Sequence, residues 1–147
     1  MNLILKRPAF RPTGSAPFVT KQAVLDQLRA VLQADLDTLT RAAQGAFAAA
    51  TDPDSKAENK YDTRTLEASY IARGQAKRVA ELQEAVHAFA ALSGVELDEG
   101  SPALLGCLVI LEGPDGRDHY FIGPSEGGTE IVYEAREVAA ITPSPPA

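Results

Sequence analysis

The chain holds a single cysteine, Cys107, which excludes an internal disulfide, a cysteine-rich metal cluster and a dithiol redox pair. Between Gly106 and Leu108 that thiol reads as a small buried hydrophobe in a strand. The only histidines, His87 and His119, have no ligand spacing between them and support no triad, so each reads as a surface or packing residue. No apolar run approaches the ~20 residues of a membrane helix, and the apolar stretch within Met1 to Arg7 is too short for a signal peptide. The expected location is the cytoplasm, with no membrane partner. Bases are fewer than acids, 14 against 20, and the net charge of -6 repels nucleic-acid phosphates, so any contact with DNA or RNA must be local.

What the chain does have is an ordinary globular composition, with 147 residues of which 45% are hydrophobic and 23% charged, enough for one domain or two small modules. Its charge is uneven. Residues 1–21 carry Lys6, Arg7, Arg11 and Lys21 and no acid, for +4; residues 22–92 net -2; residues 93–147 net -8, with Arg117 and Arg136 their only bases. Punctuated by Pro8, Pro12, Gly14, Ser15 and Pro17, residues 1–19 read as an extended basic leader rather than a packed element.

From Thr20, a candidate cap, the pattern is helical: Leu25, Leu28, Leu32, Leu36, Leu39, Ala43, Ala46 and Ala50 recur every three or four residues. Some 30 such residues make a rod of about 45 Å, which needs a partner. Pro53 ends it, because proline lacks an amide hydrogen and disfavours a helical residue before it. A second stripe, Ala68, Ala72, Ala76, Val79, Leu82, Val86 and Phe89, runs within residues 56–92. Matched rods joined by a short turn must lie antiparallel, so residues 20–92 are expected to form a coiled-coil hairpin, slim where alanine dominates near the turn. Tyr61 and Tyr70, in the first turns of the second rod, are expected to pack against the facing helix.

After Ser93-Gly94 the period shortens. Leu104 to Leu111, His119 to Ile122, Glu130 to Tyr133 and Glu137 to Ile141 read as strands separated by Gly113-Pro114-Asp115-Gly116 and Gly127-Gly128 turns. Those glycine turns lack the strand-to-helix context of a phosphate loop. The fold class expected is therefore α+β: a long antiparallel helical hairpin followed, over 93–147, by a small antiparallel β domain without a closing strand.

Carboxylates gather at the hairpin tip, residues 52–62, where Asp52, Asp54, Glu58 and Asp62 stand with Lys56 and Lys60. Glu58 and Asp62, four apart, share a helix face at a cost of a few tenths of a kcal/mol. Two readings account for the cluster. Acids at a helix start are stabilised by its dipole, by about 0.3–1 kcal/mol each. Hard oxygen ligands at a tip also help hold Mg²⁺, which takes one or two protein carboxylates and fills its shell with water and phosphate oxygens.

A long hairpin with Glu58-Asn59 at its tip, Gly74 sixteen residues on, the segment Asp115 to Gly123 and the run Ile141-Thr142-Pro143-Ser144-Pro145 together resemble the bacterial Gre transcript-cleavage factors, GreA and GreB. The resemblance covers roughly residues 20–145. It departs from the family at three places: Ser55 stands where the family has an Asp three residues before the tip Glu, leaving Asp54 four before; Gln75 replaces an Arg; and the Gly-Lys turn and last strands are absent. It implies an FKBP-like second domain and a non-enzymatic accessory protein of bacterial RNA polymerase. In that family the hairpin enters the polymerase's secondary channel and its tip carboxylates help hold the second Mg²⁺ of the polymerase active site, stimulating cleavage of backtracked RNA. Carried over residue by residue, Glu58 and Asp54 become the Mg²⁺-directing acids and Asn59 their positioning neighbour; contact with nascent RNA is indirect, and the metal is shared with the polymerase rather than bound by the chain alone. Asp62 and Asp52 enter as supporting acids, Asp62 from helix phase. A non-cleaving channel-binding regulator, of the nucleoside diphosphate kinase regulator type, and a coiled-coil interaction module are the alternatives. The oligomeric state is left open by the sequence.

Overall fold

The computed structural model describes residues 2–4, 21–55, 64–93 and 100–143. Its elements in order are β1 (Asn2–Ile4), α1 (Lys21–Thr51), a 3-10 turn (Pro53–Ser55), α2 (Arg64–Ala91), β2 (Leu108–Gly113), β3 (Gly116–Ile122), β4 (Glu130–Tyr133) and β5 (Arg136–Ile141). The α+β class is as expected. Thr20 and residues 56–63, where a cap and the start of the second rod were expected, lie outside the described residues. The chain forms two compact units, Leu32–Val86 and the combination of Met1–Val31 with His87–Ala147.

Within Leu32–Val86 burial follows the apolar stripes and fades toward the turn. Leu32 and Leu82 are buried, whereas Leu36, Leu39, Ala43, Ala46 and Ala50 are only half-buried. Short side chains cannot reach far across a two-helix layer, which offers each helix one covered face. Along α2 the covered positions are Ala72, Gln75, Val79, Leu82, Ala85 and Val86, so Gln75 takes the place expected for Ala76, which is exposed. These steps of three and four are those of a packing seam. Gln75 occupies a seam position, and its Oε1 is buried with no hydrogen-bond partner among the described residues.

The other unit contains the sheet, in strand order β1-β2-β3-β5-β4. Residues 1–19 were read as an unpacked leader; Asn2–Ile4 are extended but paired, antiparallel to β2 with Leu3 opposite Leu111. The expectation of a wholly antiparallel domain is corrected too, because β5 lies parallel to β3, with His119 beside Val138 and Phe121 beside Ala140. After β3 the chain passes through residues 123–129 to β4, and β5 returns antiparallel to β4, inserted between β4 and β3. Three backbone bonds stitch that crossing in place: Gly123 N to Ile141 O at 2.8 Å, Gly128 N to Ala140 O at 2.8 Å and Ala140 N to Thr129 O at 2.8 Å. Period-two alternation puts Ile131, Phe121, Val138 and Ala140 on one buried face. On that face the Phe89 ring of α2 stacks on Phe121, centroids 6.4 Å apart. Gly123 makes room for it, since a Cβ there would come within 2.6 Å of the Phe89 ring. Cys107 is buried in the turn before β2 rather than within a strand, its Sγ accepting the Leu104 N–H at 3.4 Å.

The two helix ends in this unit are joined by one guanidinium. Arg29 of α1 donates from Nε to Phe89 O at 2.9 Å and from Nη2 to Ala90 O at 3.2 Å and Leu92 O at 2.6 Å. A helix leaves its last four carbonyls without intrahelical donors, and a cation there also meets the negative end of the dipole. Asp26, one turn earlier on α1, pairs with Nη1 at 3.2 Å. At the edge of the sheet Gln27 Nε2 donates to Val132 O at 3.0 Å, occupying an outward carbonyl of β4. The β4–β5 turn is strained: Glu134 and Ala135 both have positive φ, 50° and 60°, a conformation usually filled by Asn-Gly.

Two measurements check this account. Arg29→Ala is expected to lower the unfolding free energy by about 2 kcal/mol in urea titration, with Arg29→Lys recovering less than half, because one ammonium cannot serve three carbonyls. A loss under ~0.5 kcal/mol would mean that water replaces the guanidinium fully. Ala135→Gly is expected to raise stability by about 1 kcal/mol, by removing left-handed strain at a Cβ-bearing residue.

Candidate functional site

The candidate site is the turn between the helices. Pro53 stops α1 as the sequence requires, and Thr51 closes the last turn, its hydroxyl donating to Phe47 O at 2.9 Å and Ala48 O at 3.3 Å. Asp52 Oδ1 then accepts the Asp54 N–H at 2.9 Å, which starts the Pro53–Ser55 turn. Both acids are exposed. Their roles differ: the bond uses Asp52's carboxylate and Asp54's backbone, leaving Asp54's carboxylate outside it. Glu58, Asn59 and Asp62, the other site residues expected from the sequence, lie outside the described residues, as do Lys56, Lys60 and Tyr61. Asp52 and Asp54 are thus the pair the fold brings together. Among the described residues no group of three or more histidine, cysteine or acidic side chains could hold a metal ion.

Away from the turn, Tyr70 is exposed instead of packing on the facing helix, and His87 is exposed on α2. Gly74 is exposed, and a Cβ built there meets nothing within 4 Å, so packing inside the chain gives no reason for a glycine. Among the described residues no helix is long and apolar enough to cross a membrane.

The fold perturbs the titration of His119. It is a buried residue on β3, flanked across the sheet by Ile110 and Val138. Burial lowers its pKa from 6.5, the Arg136 and Arg117 charges lower it further, and Asp118 offsets part of the effect. Burial and the two cations outweigh the Asp118 carboxylate, an arrangement that favours the neutral imidazole. No signal in the sequence separated it from His87.

No protein-family model matches the chain, and no curated protein or solved structure matches it.

A group whose folded pKa lies below its unfolded value costs stability only when protons are available to the unfolded chain. The unfolding free energy is therefore expected to fall as pH drops below 6.5 and to level off once pH passes the folded pKa. Urea titrations of the wild type, His119→Gln and His87→Gln between pH 7.5 and 5 check this. The slope should disappear in His119→Gln alone, and persistence of the wild-type slope in that variant would exclude His119 as its source.

Proposed function

We propose that the chain is a Gre-like accessory factor of bacterial RNA polymerase, in which a coiled-coil hairpin carries acidic residues into the polymerase's secondary channel and stimulates cleavage of backtracked RNA. The observation that carries the reading is the acidic turn between two long helices, 31 and 28 residues, followed by a small β-rich unit. The Glu58-Asn59 pair lies in the sequence between Ser55 and Arg64, outside the described residues. In this reading Glu58 and Asp54 supply carboxylate oxygens, the donor type a hard cation takes. The exposed Asp54 carboxylate, outside the Asp52 cap, fits such a role, and Asp52 orders the turn that carries it. The polymerase's own second Mg²⁺ supplies the polarised water. The chain's part is to position oxygens near it, with Asn59 next to Glu58 and Asp62 four residues on in sequence, while the polymerase remains the catalyst in the cytoplasm.

A non-cleaving regulator of the same architecture is the second reading. It is favoured by Ser55 at the position where the family has an Asp, and by the commitment of Asp52 to a turn bond.

The two separate in one assay. Added to a stalled, backtracked elongation complex with Mg²⁺, the wild type is expected to release short 3′ RNA fragments. Glu58→Ala should reduce that stimulation by at least tenfold and Asp54→Ala by less, both with unchanged circular dichroism. Polymerase binding without fragments would select the regulator, and no binding at all would reject both.

A further inference from the structure

Residues 93–147 have only two bases, Arg117 and Arg136, against ten acids, and the sheet brings those two together. Buried and exposed positions alternate along β3 and β5, so Arg117, His119 and Phe121 share one face with Arg136, Val138 and Ala140. His119 lies beside Val138 in the parallel pair, and two residues earlier on each strand Arg117 and Arg136 come level, at the strand spacing of about 4.8 Å. Glu112 of β2 stands opposite Arg117, and Tyr133 of β4 opposite Arg136. The face therefore passes from the Phe121 ring through His119 to a polar row of Glu112, Arg117, Arg136 and Tyr133.

Charge in that row is not balanced. Arg117 is paired, its Nη2 2.6 Å from Glu112 Oε1, and its side chain is 59% exposed. Arg136 is exposed and has no acid within ion-pair distance among the described residues, because its neighbour Glu137 and the cross-strand Asp118 alternate onto the opposite face. Like charges side by side on adjacent strands are destabilising, and here nothing in the row offsets Arg136. His119, at the inner edge, is only 8% exposed and makes no hydrogen bond to a described residue. Both guanidinium charges act on it, which places all three groups around one spot.

We propose that Arg117, Arg136 and His119 form an oxyanion site that takes a phosphate group. Guanidinium forks match the oxygens of a phosphate, and a neutral imidazole adds one N–H donor from the buried side. The anion enters between the two arginines and takes the place of the Glu112 carboxylate on Arg117. A long polyanion is repelled by the ten acids of the same segment, so a phosphate carried by a small molecule fits the site better than one in a nucleic-acid backbone. This site stands apart from the polymerase reading, which uses the turn of the helical unit.

The test follows the Nε–H resonances of Arg117 and Arg136 and the imidazole resonances of His119 by NMR of the full chain, during titration with sodium phosphate at constant ionic strength and with sodium chloride as reference. Saturable movement of all three with phosphate and none with chloride is expected. Arg136→Gln, at an exposed position, should abolish the saturable movement with unchanged circular dichroism. Glu112→Gln should tighten phosphate binding by about threefold or more, because it frees Arg117, a gain that a merely structural ion pair would not give. Movement that does not saturate, that survives Arg136→Gln, or that weakens in Glu112→Gln would overturn the site. Glycerol phosphate and a short single-stranded RNA separate the two sources. Tighter binding of glycerol phosphate supports a small-molecule ligand, and tighter binding of the RNA would overturn that assignment in favour of a backbone phosphate.

Discussion

The unit that contains the sheet depends on what happens at the last turn of α2. Its terminal carbonyls have no helical donors left, and Arg29 supplies three bonds to Phe89, Ala90 and Leu92 from a single planar group. The same bonds fix the backbone of Phe89, whose ring then stacks on Phe121 and presses into the space left by Gly123. A polar contact thereby sets the position of the largest buried ring. Burying a phenylalanine contributes about 2 kcal/mol or more, but only if the ring arrives at a matching surface. Guanidinium, aromatic pair and glycine form one chain of dependence from α1 through α2 into β3.

Much of this was legible in the sequence because it is periodic. Leucines at steps of three and four marked α1, Pro53 marked its end, and glycine turns divided the strands. Local pattern failed where pairing is decided at a distance. β5 inserts between β3 and β4, and nothing in Arg136–Ile141 distinguishes a parallel neighbour from an antiparallel one. β1 is three residues long and precedes a basic, proline-punctuated run, so its pairing with β2 leaves no periodic trace. Arg29 is an ordinary exposed arginine by spacing, and its partners stand sixty residues on. The shift from Ala76 to Gln75 has a smaller cause. The seam advances by alternating threes and fours, so a reading that steps by four drifts off it within two turns.

The turn shows how residues of one type divide their tasks. Asp52 and Asp54 are the same residue type, yet the chain direction at Pro53 brings the Asp52 side chain to the Asp54 amide, two residues on. The turn bond divides the two described acids, using one by its carboxylate and the other by its backbone. Asp52 orders the backbone, and Asp54 points a carboxylate outward from the ordered turn.

Burial along the helical unit decreases from Leu32 and Leu82 toward Ala46, Ala50 and the exposed Phe47, Leu66, Tyr70 and Ile71. Local stability follows the apolar area buried nearby, so the end bearing the acids is the part least held by its own packing. Gly45 and Gly74, where a Cβ would meet nothing within 4 Å among the described residues, and Gln75 Oε1, buried with no hydrogen-bond partner among them, weaken it further. Selection for stability alone would place alanines at those glycines and leucine at 75, and would move the large apolar residues into the seam. Among the described residues, the reverse distribution leaves Phe47, Leu66, Tyr70 and Ile71 exposed, so this end of the helical unit gains less from its own apolar burial than the end at Leu32 and Leu82.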